Sequence, residues 1–303
     1  MSKEDNGIFI PDTVSNYDFN DGFKFCCGML KKRVREDFDA VIAITGEEGV
    51  SKSTLANWVG MKTDKYYTLE KNCLFSPSPK SLVDSVRNLP RFSAVNADEA
   101  VKILYKQQWW LQTFINKFYR LCRQDNKISI MCMPRFNEFN EGFRNHRILI
   151  WIHIFGRGIG VAFQKDWSPF VKDPWHFDDN QKMIASRGKH LKYYNFKMED
   201  KMRILEKSPN FIGTVTFPNL PEDFVVKYKE MAKQHKYEGL EEEFDQGKRY
   251  MTMKKRMEER LNKLIAVFKT ETGLSQEEIG RRIGVSGSTL SVMKNIEDEI
   301  DDK

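Results

Sequence analysis

The 303-residue chain is 40% hydrophobic and 13% aromatic, which suits one sizeable α/β core with a smaller module and excludes a disordered polymer. A formal net charge of +6 permits a polyanionic partner without requiring one. The longest largely apolar run, 148–155, is far too short to cross a bilayer, and five cysteines without metal-ligand spacing read as reduced, buried thiols. With a polar start and no leader pattern, the expectation is a cytoplasmic protein without a membrane partner, in the host cytoplasm if it is viral.

Residues 1–36, with Phe9, Tyr17, Phe19, Phe23 and Phe25, read as a lead-in that packs on the core. A buried strand follows over Ala40–Thr45 and runs into Gly46-Glu47-Glu48-Gly49-Val50-Ser51-Lys52-Ser53-Thr54. This is the phosphate-loop pattern G-x-x-x-x-G-K-[ST] with Ser51 in place of the second glycine. Such a loop aims backbone N–H groups and a helix N-terminus at phosphates. Lys52 would reach the β- and γ-phosphates of ATP, and the Ser53 hydroxyl would ligate Mg²⁺. The alternative is an ordinary Gly/Ser-rich turn. Ser51 matters because glycine there opens conformations closed to residues with a Cβ. It implies a remodelled loop, a weaker ATPase or an inactive relic.

A helix is expected from Lys52 to about Met61, followed by short β-like pieces at 66–69 and 72–75 and a turn at 76–79. A helix at 80–88 then leads to a strand at 91–97, closed by Asp98-Glu99. An acid ending a strand beside the loop can hold Mg²⁺, and a following glutamate can polarise the attacking water as general base. The competing reading is an N-cap for the long helix expected from Asp98 to Cys122. A buried strand over 127–133 follows, then a helical or loop piece over 136–144. Two strands, 147–155 and 159–164, are joined by the hairpin Gly156-Arg157-Gly158. Arg135, Arg144, Arg147 and Arg157 are candidates for a phosphate-directed arginine supplied in cis or across a subunit boundary, with Arg144 preferred. The alternative for each is a surface or salt-bridging arginine.

The aromatic stretch 166–177 reads as a loop draped over the core, and 211–217 as a late strand. With the loop domain spanning 37–220, charged residues 221–255 are expected to form a helical linker, and 256–298 a helix-turn-helix. In that last segment Ser275 caps a helix with Glu278 at the capping-box position, Gly284-Val285-Ser286 turns the chain, and Ser286 caps a second helix. In DNA, Gly287, Ser288, Thr289 and Ser291 would face bases, Arg281, Arg282 and Lys294 would meet phosphate, and the capping Ser286 would also lie at the DNA. A helical hairpin for protein contacts is the alternative, because the tail after 296 is acidic and the second helix lacks an early Arg, Gln or Asn.

On the loop 46–54, the acid pair Asp98-Glu99 and the strand 127–135, the chain resembles the RecA-like P-loop ATPases with an additional strand, most of all those of viral, phage and plasmid DNA motors. Residues 274–294 separately resemble the helix-turn-helix of phage and plasmid regulators. The resemblance implies an α/β RecA-like P-loop NTPase core with a small all-α C-terminal domain. It further implies ATP and Mg²⁺ as cofactors, DNA as partner, a homo-oligomer, and hydrolysis coupled to replication, packaging, transfer or partition as a motor, helicase or loader. A nucleotide-regulated DNA-binding protein with little turnover is the alternative, and a small-molecule kinase is a third reading.

Overall fold

The computed structural model describes residues 17–75, 77–100, 119, 125–177, 180 and 198–235, together with 252, 253, 255–257, 259, 260, 263, 267, 270, 271, 273–275, 278, 281 and 282. The chain forms two units, Met1–Lys236 and Tyr237–Lys303.

The first unit is built on a seven-stranded mixed sheet. In chain order the strands are β1 Ala40–Gly46, β2 Cys73–Phe75, β3 Ala94–Asp98, β4 Ile128–Met133, β5 Ile148–Gly156, β6 Ile159–Gln164 and β7 Phe211–Thr216. Their spatial order is β2-β3-β4-β1-β5-β6-β7. The first five positions pair in parallel, and β5-β6 and β6-β7 are antiparallel. β4 therefore lies between β1 and β3, and the loop strand and the acid strand end on the same edge of the sheet. The hairpin expected at 156–158 joins β5 to β6.

Both faces are covered, as near-continuous apolar strands require. Along β1 the side chains alternate. Ala40, Ile42 and Ile44 enter a core with Phe23, Leu30, Leu55, Trp58 and Tyr67, whereas Val41 and Ala43 join Leu82, Phe136, Phe143 and Trp175 on the other face. The first core is roofed by α1 (Asp21–Arg35) and α2 (Lys52–Thr63), and the second by α4 (Pro79–Asn88) and α5 (Glu141–Arg147), while the short α3 (Leu69–Asn72) precedes β2. α6 spans Met198–Leu205 and α7 spans 222–235.

The lead-in packs closely on the sheet. Asn20 caps α1 by accepting from the Phe23 N–H and donates to the Thr214 carbonyl, tying α1 to β7. Glycine is required at 22, where a Cβ would sit 1.9 Å from that same carbonyl oxygen. The 166–177 loop is draped over the core as expected: Trp175 is fully buried and its indole donates to the Arg144 carbonyl.

Three local expectations are corrected. Residues 66–69 form a turn leading into α3 because the Asp64 and Asn72 side chains accept from the Tyr66 and Thr68 amides and draw the backbone away from a ladder. β3 starts at Ala94 rather than Arg91, because Phe92 has a φ of 69° and its amide bonds the Asn126 carbonyl. Residues 222–235, assigned by their charge to a linker, are α7 on the first unit. Phe224 is buried there, and Val225, Tyr228 and Met231 pack against the first core. The long helix at 98–122 and the linker over 236–251 lie outside the described residues, apart from Asp98, Glu99, Ala100 and Tyr119. Among the described residues no helix is long and apolar enough to cross a membrane.

In the second unit, Ser275 and Glu278 form the expected capping box. The Ser275 amide and hydroxyl donate to the Glu278 carboxylate at 3.1 and 2.9 Å, and the Glu278 amide donates back to Ser275 Oγ at 3.3 Å. Gly273, at φ 67°, precedes it. Arg281 and Arg282 are helical and exposed. Ser286, Gly287, Ser288, Thr289, Ser291 and Lys294 lie outside the described residues.

Candidate functional site

The turn from β1 into α2 is made by residues whose backbone demands are unusual. Gly49 has a φ of 79°, and Ser51, the N-cap of α2, sits at φ 74° and ψ 35° in the left-handed region. Ser51 thus adopts the glycine conformation that the loop pattern calls for, without a side-chain cap hydrogen bond in return. A left-handed L-residue costs about 1–2 kcal/mol. Ser51→Gly is therefore expected to raise stability by about 1 kcal/mol after glycine's extra unfolded-state entropy is subtracted. Urea denaturation would read this as a higher midpoint, and a lower midpoint would contradict the loop conformation. Gly46 is needed for space, since a Cβ there would lie 2.5 Å from the Ile154 carbonyl oxygen and 2.8 Å from Val50.

Lys52 folds back over this turn, its ammonium donating to the Gly46 and Glu47 carbonyls at 2.8 Å each. Glu47, Glu48 and Gly49 are exposed, and Val50, Ser51, Ser53 and Thr54 are half-buried. From the first turn of α2 the Ser53 hydroxyl donates to Asp98 Oδ1 at 2.9 Å. The pairing of β4 between β1 and β3 makes this contact possible across 45 residues of sequence. Asp98 is only 6% exposed. Its other oxygen, Oδ2, accepts a short hydrogen bond from the Tyr228 hydroxyl of α7. Burial, and then the Asp98 charge, pushes the Tyr228 phenol well above its ordinary range, so this hydroxyl keeps its proton and stays a donor. The Cys132 thiol in β4 is raised by the same two causes in the same order and is inert as a nucleophile. Glu99 follows Asp98 with a φ of 57° and is exposed.

Tyr228 was invisible to sequence reading because it stands in a charge run. The signal that could have found it is the helical spacing of Phe224, Tyr228 and Met231. A second missed group lies under the loop, where Thr45 Oγ1 accepts from the Trp151 indole at 2.7 Å and meets His153 Nδ1 at 3.0 Å.

The four candidate arginines divide between the two ends of the sheet. Arg135 follows β4 and Arg157 lies in the β5-β6 turn, both at the loop edge and both exposed. Arg144 and Arg147 precede β5, whose Ile148 pairs with Val41 at the opposite end of β1. Seven residues of strand separate that end from the loop, about 20 Å. Arg144 stacks on Phe177 at 4.8 Å, and burial lowers its guanidinium pKa. Arg147 faces Asp39 at 3.8 Å. The preference for Arg144 as a group acting in cis on the loop of its own chain is corrected by this topology.

Among the described residues no group of three or more His, Cys, Asp or Glu is placed to hold a metal ion. Ser53 and Asp98 bring together a hydroxyl and one carboxylate, hard oxygen donors of the kind Mg²⁺ takes alongside water and phosphate oxygens.

No family model matches the chain, and no curated protein matches it. Among solved structures it is similar to the crystal structure of the FIGL-1 AAA domain, at 10% identity and a TM-score of 0.32, over 75% of this chain and 91% of that one. This is a distant match to an AAA-type P-loop ATPase domain, too remote to carry a functional assignment.

Proposed function

We propose that the chain binds ATP with Mg²⁺ between the loop 46–54 and Asp98, and hydrolyses it in association with DNA. The observation that carries this reading is the 2.9 Å bond from Ser53 to Asp98, joined to a Ser51 backbone held in the left-handed region. In this reading the amides of Gly46–Thr54 and the start of α2 cradle phosphate oxygens, and Lys52 leaves its loop carbonyls for the β- and γ-phosphates. Ser53 and Asp98 hold Mg²⁺, which supplies charge neutralisation at the phosphates. Glu99 orients and deprotonates the attacking water. Arg135 and Arg157 replace Arg144 as the cis candidates for stabilising transferred charge, and Arg144 retains only a role across a subunit boundary in a homo-oligomer. The net charge and the exposed Arg281 and Arg282 support the DNA part. Action as a motor, helicase or loader of a virus or mobile element rests on the resemblance alone.

A second reading, a nucleotide-regulated DNA-binding protein with little turnover, is favoured by the engagement of both Asp98 oxygens and of the Lys52 ammonium within the chain. ATP turnover of the full chain with and without single- and double-stranded DNA, beside Lys52→Ala, separates the two. DNA-stimulated turnover lost in Lys52→Ala supports the first reading. Binding of ATP without turnover supports the second, and no nucleotide binding at all sinks both.

A further inference from the structure

At the end of the sheet opposite the loop, the C-terminal ends of α1 and α2 and the segment before β3 enclose a groove of about 540 Å³. Its walls carry Lys31, Arg35, Lys62, Lys65 and Arg91 against a single carboxylate, Asp64. Asp64 is inward-facing and already spent, accepting from the Tyr66 amide at 2.8 Å, the Ala94 amide at 3.0 Å and the Asn72 side chain at 3.2 Å. Arg91 pairs with Asp37 at 2.9 Å. Among the described residues no carboxylate stands within ion-pair distance of Lys31, Arg35, Lys62 or Lys65. The crowding is felt locally. Burial is the largest cause lowering the Lys31 ammonium pKa; Cys27 opposes it, and the Lys62 and Arg35 charges add to the lowering.

Two aromatic rings stand in the same groove where a water-soluble fold would bury them. Tyr66 is 71% exposed and Phe92 44%. Phe92 is held out by a left-handed backbone, rare for a bulky residue, and is clamped there by its amide bond to the Asn126 carbonyl. Each ring has a cation beside it, Lys65 Nζ 4.6 Å from the Tyr66 centroid and the Arg91 guanidinium 5.3 Å from that of Phe92.

We propose that this groove binds single-stranded nucleic acid, with unstacked bases on Tyr66 and Phe92 and backbone phosphates against Lys31, Arg35, Lys62 and Lys65. Uncompensated cations with accessible rings at the same spot are the two components of a sequence-tolerant single-strand site. A duplex keeps its base faces stacked inside and cannot use the rings, and an acidic peptide would use the cations alone. The groove lies across the sheet from the loop and does not depend on the nucleotide reading.

The test is fluorescence anisotropy of a short labelled oligothymidylate with the full chain, its Tyr66→Ala and Lys65→Glu variants, and an unlabelled duplex of matching sequence as competitor. Both positions are exposed, and thermal melting checks that each variant is folded. Affinity is expected to fall about tenfold in Tyr66→Ala, and the salt dependence to become shallower in Lys65→Glu. A bromouridine-substituted strand should photocrosslink at Tyr66 or Phe92, which separates this groove from any binding by the second unit. Wild-type affinity in both variants, crosslinks confined to other segments, or a groove that the duplex occupies more tightly than the single strand would each overturn the proposal.

Discussion

Asp98→Asn is expected to cut ATP turnover by roughly 10²–10³-fold, the usual loss when one electrostatic element of a hydrolytic site is removed. The two hydroxyls that meet at Asp98, from Ser53 and Tyr228, both donate to it. An amide keeps the shape and removes the charge, so each of these bonds drops from charge-assisted to neutral strength. The variant separates binding from chemistry. Nucleotide affinity measured with chelator should survive, because the loop amides and Lys52 are untouched, while the gain in affinity on adding Mg²⁺ should disappear. Turnover at the wild-type rate in Asp98→Asn would remove Asp98 from the site and leave it a structural cap.

Trp58→Ala is expected to cost about 3–5 kcal/mol, a large share of the stability of any single domain. Trp58 is fully buried on the inner face of α2. Its ring stands 4.7 Å from Tyr17 and 5.2 Å from Phe19, and its indole donates to the Pro218 carbonyl at 2.9 Å. One side chain therefore ties the loop's helix to the lead-in and to the segment that precedes α7. A urea titration should show a sharply lowered midpoint. Trp58→Phe should recover most of the packing and leave only the Pro218 carbonyl unpaired, a deficit of about 1–3 kcal/mol. Equal losses in the two variants would mean that the hydrogen bond, not the ring, holds the segments together.

What the sequence made legible followed from short-range physics. The apolar run before Gly46, the Gly-Val-Ser-Lys-Ser chemistry of the loop and the Ile-rich strands at 128–133 and 148–156 are local patterns, and the structure has strands and a turn at those places. The capping box at Ser275 is likewise written in four consecutive residues. Tyr228 was not legible, because its partner Asp98 is 130 positions away and its neighbours are charged. The distance of Arg144 from the loop of its own chain was not legible for a different reason. Nearness in sequence to an apolar strand says nothing about which end of that strand faces the loop, and only the register of β5 against β1 decides it. Asn96, a polar residue buried within β3, has its place explained only by distant partners: its side chain donates to the Tyr67 hydroxyl at 3.4 Å, and that hydroxyl donates to Asn57 on α2.

The donors that converge on Asp98 come from parts of the fold that open on different timescales. β1 is hydrogen-bonded on both sides and every one of its residues is buried, so its amides should exchange with solvent only when the whole unit unfolds. The loop and Ser53 hang from that slowest-exchanging strand. Tyr228 belongs to a closing helix with an outer face of Glu, Lys and Asp, which meets the first core through side chains (Phe224, Val225, Tyr228 and Met231) rather than through a backbone ladder. Sub-global opening should therefore release the phenol from the carboxylate while the serine still holds it, so that the same acid is gripped permanently from one side and intermittently from the other.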